Sequence, residues 1–104
     1  MDLNYKDEIM EYRIKRILHS GSEGVRGTDR TDYRYPLRIG RTVNLDIDAI
    51  KIGFPFILWY LKNADGSDYS NKWLPTSNVV GLHGLDGAFI CVETLNSIYE
   101  FEAV

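Results

Sequence analysis

Hydrophobic and polar side chains alternate with a period of two over several short segments of this chain. Because successive side chains of a β-strand point to opposite faces, this alternation predicts half-buried strands. The segment 54–61 differs, since it is almost continuously apolar and aromatic, which is typical of a central strand. The predicted strands cover residues 11–18, 33–39, 43–48, 54–61, 88–94 and 98–103, with a return strand at Trp73 and Leu74 that Pro75 ends.

The first of these strands follows from a choice between two patterns. Met10, Ile14 and Ile17 have the spacing of one helical face. Tyr12, Ile14 and Leu18, with charged residues opposite them, have the pattern of a strand. We expect the strand, preceded by a short acidic lead.

Turn-forming residues separate the predicted strands. An Asp-Gly pair at residues 65–66 predicts a hairpin, because a type I′ turn needs positive φ angles, and the pair at 86–87 precedes another strand. Residues 20–32 are rich in Gly, Ser, Thr and Asp without either periodicity, which predicts a long loop. Pro36 cannot donate a ladder hydrogen bond and therefore indicates an edge strand.

Strands at this spacing, with no convincing amphipathic helix between them, predict a single all-β domain over residues 1–104. Closure into a barrel removes exposed sheet edges, so we expect a small SH3-like or OB-like barrel of five to six short antiparallel strands. The predicted core consists of Ile14, Leu37, Ile39, Val43, Leu45, Phe56, Leu58, Trp59, Val92, Tyr99 and Phe101.

Composition adds limits to this picture. Of the 104 residues, 44% are hydrophobic and 26% are charged, which is ordinary for a folded domain. Cys91 is the only cysteine and cannot form an intramolecular disulfide, so a cytoplasmic location is predicted. The longest apolar stretch has eight residues, 54–61, far short of the roughly 20 that span a bilayer, so no membrane contact is expected.

Candidate catalytic and metal chemistry is sparse. An EF-hand loop beginning at Asn63 would need glycine where Asp68 stands and glutamate where Leu74 stands, so we expect a plain turn and no metal. An enzymatic function would have to come from Cys91 and the two histidines, His19 and His83, which are far apart from each other in sequence. We therefore expect a protein that is not an enzyme and that needs no cofactor.

Charge is unevenly distributed. The formal net charge is -3, yet residues 13–41 hold eight Lys or Arg against three acidic residues and include all seven arginines. Residues 86–104 hold four acidic residues and no basic one. The chain is therefore polarised between a basic and an acidic segment.

Arginine and tyrosine are interleaved in the basic segment, and together they provide planar donors and stacking rings. We therefore predict a binding module whose segment 26–41 contacts an anionic partner, either nucleic acid or an acidic protein surface. One alternative is that Arg30 and Arg34 pair with aspartates of the same chain and the tyrosines face the core. The other is a self-associating structural or accessory protein, whose copies join through the two charged segments, an exposed strand edge or an aromatic patch. The candidate binding residues are Arg26, Arg30, Tyr33, Arg34, Arg38 and Arg41.

The segment 73–80 (WLPTSNVV) and the segment 90–101 (ICVETLNSIYEF) contain a tight-turn signal at Thr76-Ser77 and a hairpin signal at Asn96-Ser97. This part of the chain resembles small uncharacterised bacterial and phage-type proteins that end in a T-x-N-S-x-Y-x-F strand pair. The resemblance implies a compact β domain of mobile-element or accessory origin. It implies no activity and assigns no functional residue.

Overall fold

The protein is described by a computed structural model that covers residues 10–84 and 87–104. Its strands are β1 (Glu11–His19), β2 (Thr42–Asn44), β3 (Pro55–Lys62), β4 (Trp73–His83), β5 (Phe89–Thr94) and β6 (Ser97–Ala103), and α1 (Tyr35–Arg38) and a 3₁₀ turn (Ile47–Ala49) complete the elements. The six strands form a closed antiparallel barrel in sequence order, with β1 paired to β6. The predicted mainly-β fold, a small SH3-like or OB-like barrel, is confirmed.

A β-bulge explains why β1 has two competing sequence patterns. Ile14 lies opposite Phe101 and Arg16 lies opposite Glu100, so Lys15 is an extra residue in β1. The bulge resets the alternation, and Ile14 and Ile17 therefore both point into the barrel although they are three residues apart. Their helix-like spacing is a property of an irregular strand.

The inward faces of the strands form one hydrophobic core. Phe101 is fully buried, and its ring meets Phe56 edge-on at 6.3 Å and stacks on Tyr99 at 6.1 Å. The predicted core members that are buried here are Ile14, Val43, Leu45, Phe56, Leu58, Val92, Tyr99 and Phe101. Buried hydrophobic residues that the sequence did not mark are Tyr12, Ile17, Leu18, Ile50, Tyr60, Val79, Ile90 and Ile98.

Three predicted core residues are exposed. Trp59 lies on the outer face of β3, because Phe56, Leu58 and Tyr60 occupy the inner one. Leu37 and Ile39 are exposed because their segment is not a strand.

The predicted strand over residues 33–39 is wrong, since the segment contains the helical turn α1. Pro36 stands in the first turn of α1, where its fixed φ suits a helix and its missing N–H costs no hydrogen bond. Successive backbone bonds run from Leu37 to Arg34 and from Ile39 to Pro36. The alternating side chains of this segment do not reflect pleated backbone.

The predicted strand over residues 43–48 is shorter than expected. β2 ends at Asn44, and the carboxylate of Asp46 then caps the 3₁₀ turn by accepting a hydrogen bond from the backbone N–H of Asp48 at 3.0 Å. This turn lies beside the first residues of β3 and forms one wall of a groove described below.

β4 continues through Pro75, contrary to the expectation that this proline ends the strand and that Thr76-Ser77 forms a tight turn. Two residues of β4, Thr76 and Ser77, lie opposite the single residue Phe56 of β3, so β4 has a bulge directly after Pro75. There the backbone N–H of Phe56 donates to Oγ1 of Thr76 at 3.2 Å, so a side chain replaces a ladder acceptor. The irregularity accommodates proline inside a paired strand.

Turns form at both predicted places, but the one at residues 63–66 is not the predicted type I′ turn, because Asp65 does not have a positive φ. Gly66 has a φ of 90°, and its N–H donates to the carbonyl of Asn63 at 2.9 Å. The hairpin between β5 and β6 closes through reciprocal bonds between Thr94 and Ser97. The predicted Asp86-Gly87 turn includes Asp86, which lies outside the described residues.

Candidate functional site

Arg30, one of the predicted binding residues, lies inside the protein. Its side chain is 0% exposed, and Nε and Nη2 bind the carboxylate of Asp32 at 3.1 and 2.6 Å. Nη2 also donates to Glu23 at 2.7 Å, while Nη1 donates to the carbonyl of Asn96 at 2.7 Å and to Oγ of Ser97 at 3.0 Å. Burial therefore contradicts the expectation that Arg30 contacts a partner.

The Arg30 contacts join the Gly-rich loop to the turn before β6. The hydrogen bonds from Arg30 lower the pKa of Asp32. The carboxylates of Asp32 and Glu23 in turn raise the pKa of Arg30. A guanidinium with five acceptors around it is a fixed structural group. Its role is to hold one end of the barrel closed.

Arg26 is exposed but paired. Both of its terminal nitrogens bind the carboxylate of Glu93, with Nη2 to Oε1 at 2.8 Å, and Nη1 also donates to the carbonyl of Ser20 at 3.0 Å. These hydrogen bonds lower the pKa of Glu93. Because the carboxylate balances the guanidinium, Arg26 presents little net charge to a partner.

The Gly-rich loop lies against the barrel. The N–H of His19 donates to Thr28 at 2.8 Å and that of Gly27 donates to His19 at 2.9 Å, so the loop begins as an extension of β1. Oγ of Ser20 donates to the carbonyl of Leu95 at 2.6 Å. The predicted loop is present, and it is anchored at both sides.

Arg38 and Arg41 stack on tyrosine rings. The guanidinium carbon of Arg38 is 4.6 Å from the ring centroid of Tyr35. The guanidinium carbon of the buried Arg30 is 4.1 Å from the same centroid. Arg41 is 4.4 Å from Tyr69 and 5.3 Å from Tyr60. Arginine and tyrosine side chains of the basic segment therefore do stack, but most of these contacts are made within the protein and not toward a partner.

Tyr33 and Arg34 are the predicted residues most open to solvent. Tyr33 is 83% exposed and has a φ of 50°, a left-handed conformation that is uncommon for a side chain of this size. Arg34 is exposed, and no ion pair involves it within residues 10–84 and 87–104. These two residues, with Arg38, are what remains of the basic surface.

The charge polarity of the chain is largely neutralised inside the molecule. β1 carries basic residues and pairs with β6, which carries acidic ones. Arg13 lies 3.6 Å from Glu102, and Arg16 stands opposite Glu100 in the register. The basic residues of β1 and the acidic residues of β6, which are far apart in sequence, therefore neutralise each other on neighbouring strands.

The structure brings together two of the three groups on which an enzymatic function would depend. Cys91 on β5 stands opposite His83 on β4, whose Nε2 is 4.0 Å from a carboxylate oxygen of Glu93. Burial, together with the charges of Glu100 and Glu93, raises the pKa of Cys91. A higher thiol pKa means less thiolate at neutral pH, the opposite of nucleophile activation.

The outer face of β3 and β4 carries exposed aromatic and apolar side chains, and we call this surface the tryptophan strip. Trp59 and Trp73 are cross-strand partners with ring centroids 5.9 Å apart, and they are 50% and 57% exposed. Ile57 stands opposite Pro75 in the next pair. The strip consists of Pro55, Ile57, Trp59, Trp73 and Pro75.

A groove of about 330 Å³ runs between the strip and the 3₁₀ turn. Trp59, Ile57 and Pro55 form one side of it, and Ala49 and Asp46 form the other. The lining is mainly apolar, and a carboxylate is its one charged group within the described residues. The site therefore combines stacking surface, apolar walls and a negative charge.

Sequence reasoning missed this site because it assigned Trp59 to the core. A signal was present: Pro55, Ile57 and Trp59 share one parity, while the more uniformly apolar Phe56 and Leu58 share the other. In a strand with only one buried face, these two sets cannot both be inside. The adjacent 3₁₀ turn had no comparable signal.

We compared the chain with models of protein families, curated proteins and solved structures, and found no significant match in any of the three. The resemblance to bacterial and phage-type proteins therefore stays a prediction.

In the part of the chain that the structure describes, no group of three or more His, Cys, Asp or Glu residues could hold a metal ion. No helix there is long and apolar enough to cross a membrane.

Proposed function

We propose that this protein is a non-catalytic binding module that holds an extended segment of a partner protein on the tryptophan strip. The observation that carries the proposal is the cross-strand pair of Trp59 and Trp73, whose rings are inclined by 39° and about half exposed, with Trp59 lining the groove. Tryptophan is enriched among residues that dominate binding energy, and contiguous exposed aromatic surface marks interaction sites.

The chemistry of the strip favours a peptide over a nucleic acid. Asp46 lines the groove, so a phosphate backbone would approach a carboxylate there. Two prolines and a pair of indoles along neighbouring strands instead match the aromatic and proline surfaces that bind extended chains. A neutral or cationic peptide fits both features.

Peptides selected from a random phage-displayed library against this protein are expected to bind through the strip. Their affinity for a Trp59→Ala/Trp73→Ala variant should fall by about thirtyfold or more, since truncating a hot-spot tryptophan costs about 2 kcal/mol or more. Isothermal titration calorimetry with the synthesised peptides measures this change. Both side chains lie on the outer face, so the variant should keep the dispersed backbone amide signals of the folded barrel in a ¹H–¹⁵N spectrum.

Tyr33→Ala is the matched control, since it removes an exposed aromatic ring outside the strip. It should leave peptide affinity within about twofold of wild type. Selected peptides that bind the double tryptophan variant as tightly as the wild type would refute the proposal, as would a selection that enriches no binding peptide.

A second candidate function keeps the predicted anionic partner but confines its site to Tyr33, Arg34 and Arg38. The left-handed φ and high exposure of Tyr33 favour it, because such strain persists mainly where surrounding structure or function requires it. The buried Arg30 and the paired Arg26 are excluded from this smaller surface. Its partner would be a nucleic acid or an acidic protein surface.

A labelled single-stranded oligothymidine tests this second function by fluorescence anisotropy. With two phosphates neutralised, the logarithm of the affinity should fall against the logarithm of the salt concentration with a slope of about −1.4. Arg34→Gln/Arg38→Gln should abolish the slope, whereas Trp59→Ala should not change it. Absence of binding at about 50 mM salt would remove nucleic acid from the candidates.

We propose a cytoplasmic location for this module from its single cysteine.

Self-association is an alternative function, in which the tryptophan strips of two copies contact each other. A dimer would bury the two indoles, so tryptophan emission that shifts to the blue with rising protein concentration would indicate it.

A further inference from the structure

We infer that the groove beside Trp59 receives an arginine side chain of the partner segment, with its guanidinium stacked on the indole and paired with Asp46. This inference rests on the proposed function and adds the chemical class of the residue that is recognised. It follows from the charge, the size and the walls of the groove.

Asp46 supplies the charge. It is exposed, it lines the groove, and no Lys or Arg pairs with it within residues 10–84 and 87–104. Its Oδ1 accepts the backbone hydrogen bond that caps the 3₁₀ turn, which fixes the carboxylate in place. An anchored carboxylate without a cation is complementary to a positively charged ligand group.

The groove has room for one long side chain. Sites for whole small molecules occupy about 300–1,000 Å³, so this groove lies at the lower end of that range. Its apolar walls at Ala49, Pro55 and Ile57 can cover the methylene stem of a long cationic side chain. The charged head would then lie at the carboxylate.

Arginine fits this groove better than lysine does. A guanidinium is planar, stacks on aromatic faces and binds a carboxylate with two parallel hydrogen bonds, whereas an ammonium is a strongly hydrated point charge. The half-exposed indole of Trp59 and Asp46 line the same groove. Arg38 and Arg41 already stack on tyrosine rings within this protein.

The test uses the synthetic peptide acetyl-Gly-Pro-Pro-Arg-Pro-Pro-Gly-amide, which proline keeps extended. Its titration into ¹⁵N-labelled full-length protein should cause saturable shifts of the Trp59 and Trp73 indole N–H signals. The analogue with lysine in place of arginine should bind at least about threefold more weakly. The analogue with citrulline, which keeps the planar shape without the charge, should bind about tenfold more weakly.

Two matched variants locate the charge. Asp46→Asn keeps a capping side chain and the groove shape, and it should weaken binding of the arginine peptide by about five- to tenfold. Asp48→Asn makes the same charge change two residues away, where the side chain faces a neighbouring groove, and it should change binding by less than about twofold.

Other results would overturn the inference. Equal binding of the arginine and citrulline peptides would do so, as would equal losses in the two aspartate variants. If library-selected peptides require the tryptophans but lack arginine and ignore Asp46→Asn, the proposed function stands and this inference fails. If a neutral oligosaccharide such as maltohexaose shifts the indole signals while no peptide does, both fail.

Discussion

Replacing Phe101 with alanine is expected to lower the free energy of unfolding by about 3–5 kcal/mol. Phe101 is fully buried, and its ring contacts Phe56 and Tyr99 at the centre of the core. The loss combines the transfer of a phenyl group to water with an unfilled cavity. Because domains of this size have about 5–15 kcal/mol of stability, much of the total would disappear.

Urea unfolding followed by tryptophan fluorescence measures this loss as a lower midpoint. Phe54→Ala is the matched control, because that ring is 64% exposed and its removal should change stability by less than about 0.5 kcal/mol. Phe101→Leu keeps most of the volume and should cost less than about 1.5 kcal/mol. Similar losses for Phe101→Ala and Phe54→Ala would contradict the assignment of the barrel interior.

Local pattern was enough to predict most of the barrel. β3, β5 and β6 lie within one or two residues of their predicted bounds because their alternation is regular and glycine, asparagine or aspartate turns flank them. Closure also followed from sequence, since a row of short antiparallel strands leaves edges unless its ends meet. Here β1 and β6 are the strands that meet.

The errors arise where backbone irregularity changes the meaning of a pattern. The bulge in β1 makes a strand resemble a helix over Ile14 and Ile17, and α1 has side chains that alternate as in a strand although Pro36 begins a helical turn. Pro75 lies inside β4 next to a bulge of that same strand, where the pairing with β3 shifts. Bulges and register shifts depend on the partner strand, which local periodicity does not contain.

The candidate site was harder to predict because it depends on which charges meet. The sequence showed the arginines and the acidic C-terminal segment separately, but their partnership needs the adjacency of β1 and β6 and the loop folded over the β5–β6 turn. Once Arg26 and Arg30 are satisfied internally, the basic segment loses most of its free charge. The exposed surface that is available to a partner is then aromatic, at Trp59 and Trp73.

Replacing Arg30 with methionine is expected to destabilise the protein by about 2–4 kcal/mol, although the new side chain is apolar and similar in length. The variant would leave the buried Oγ of Ser97 and the carbonyl of Asn96 without their donor. Asp32 and Glu23 are partly exposed and can regain water, which keeps the loss below that of a fully buried ion pair. Arg30→Lys should lose somewhat less, because an ammonium keeps the charge but cannot reach all of these acceptors.

Arg34→Met is the matched control for this loss, since it makes the same substitution at an exposed arginine and should cost less than about 0.5 kcal/mol. The two variants should also differ in their response to acid. Arg30 lowers the pKa of Asp32, so the stability that this carboxylate contributes is present above its unfolded pKa and is lost as the pH falls through its folded value. Urea midpoints measured between neutral and acidic pH should therefore fall less steeply for Arg30→Met than for wild type, while Arg34→Met follows wild type. Equal stability and equal acid sensitivity of all three proteins would mean that the Arg30 network does not hold the barrel end closed.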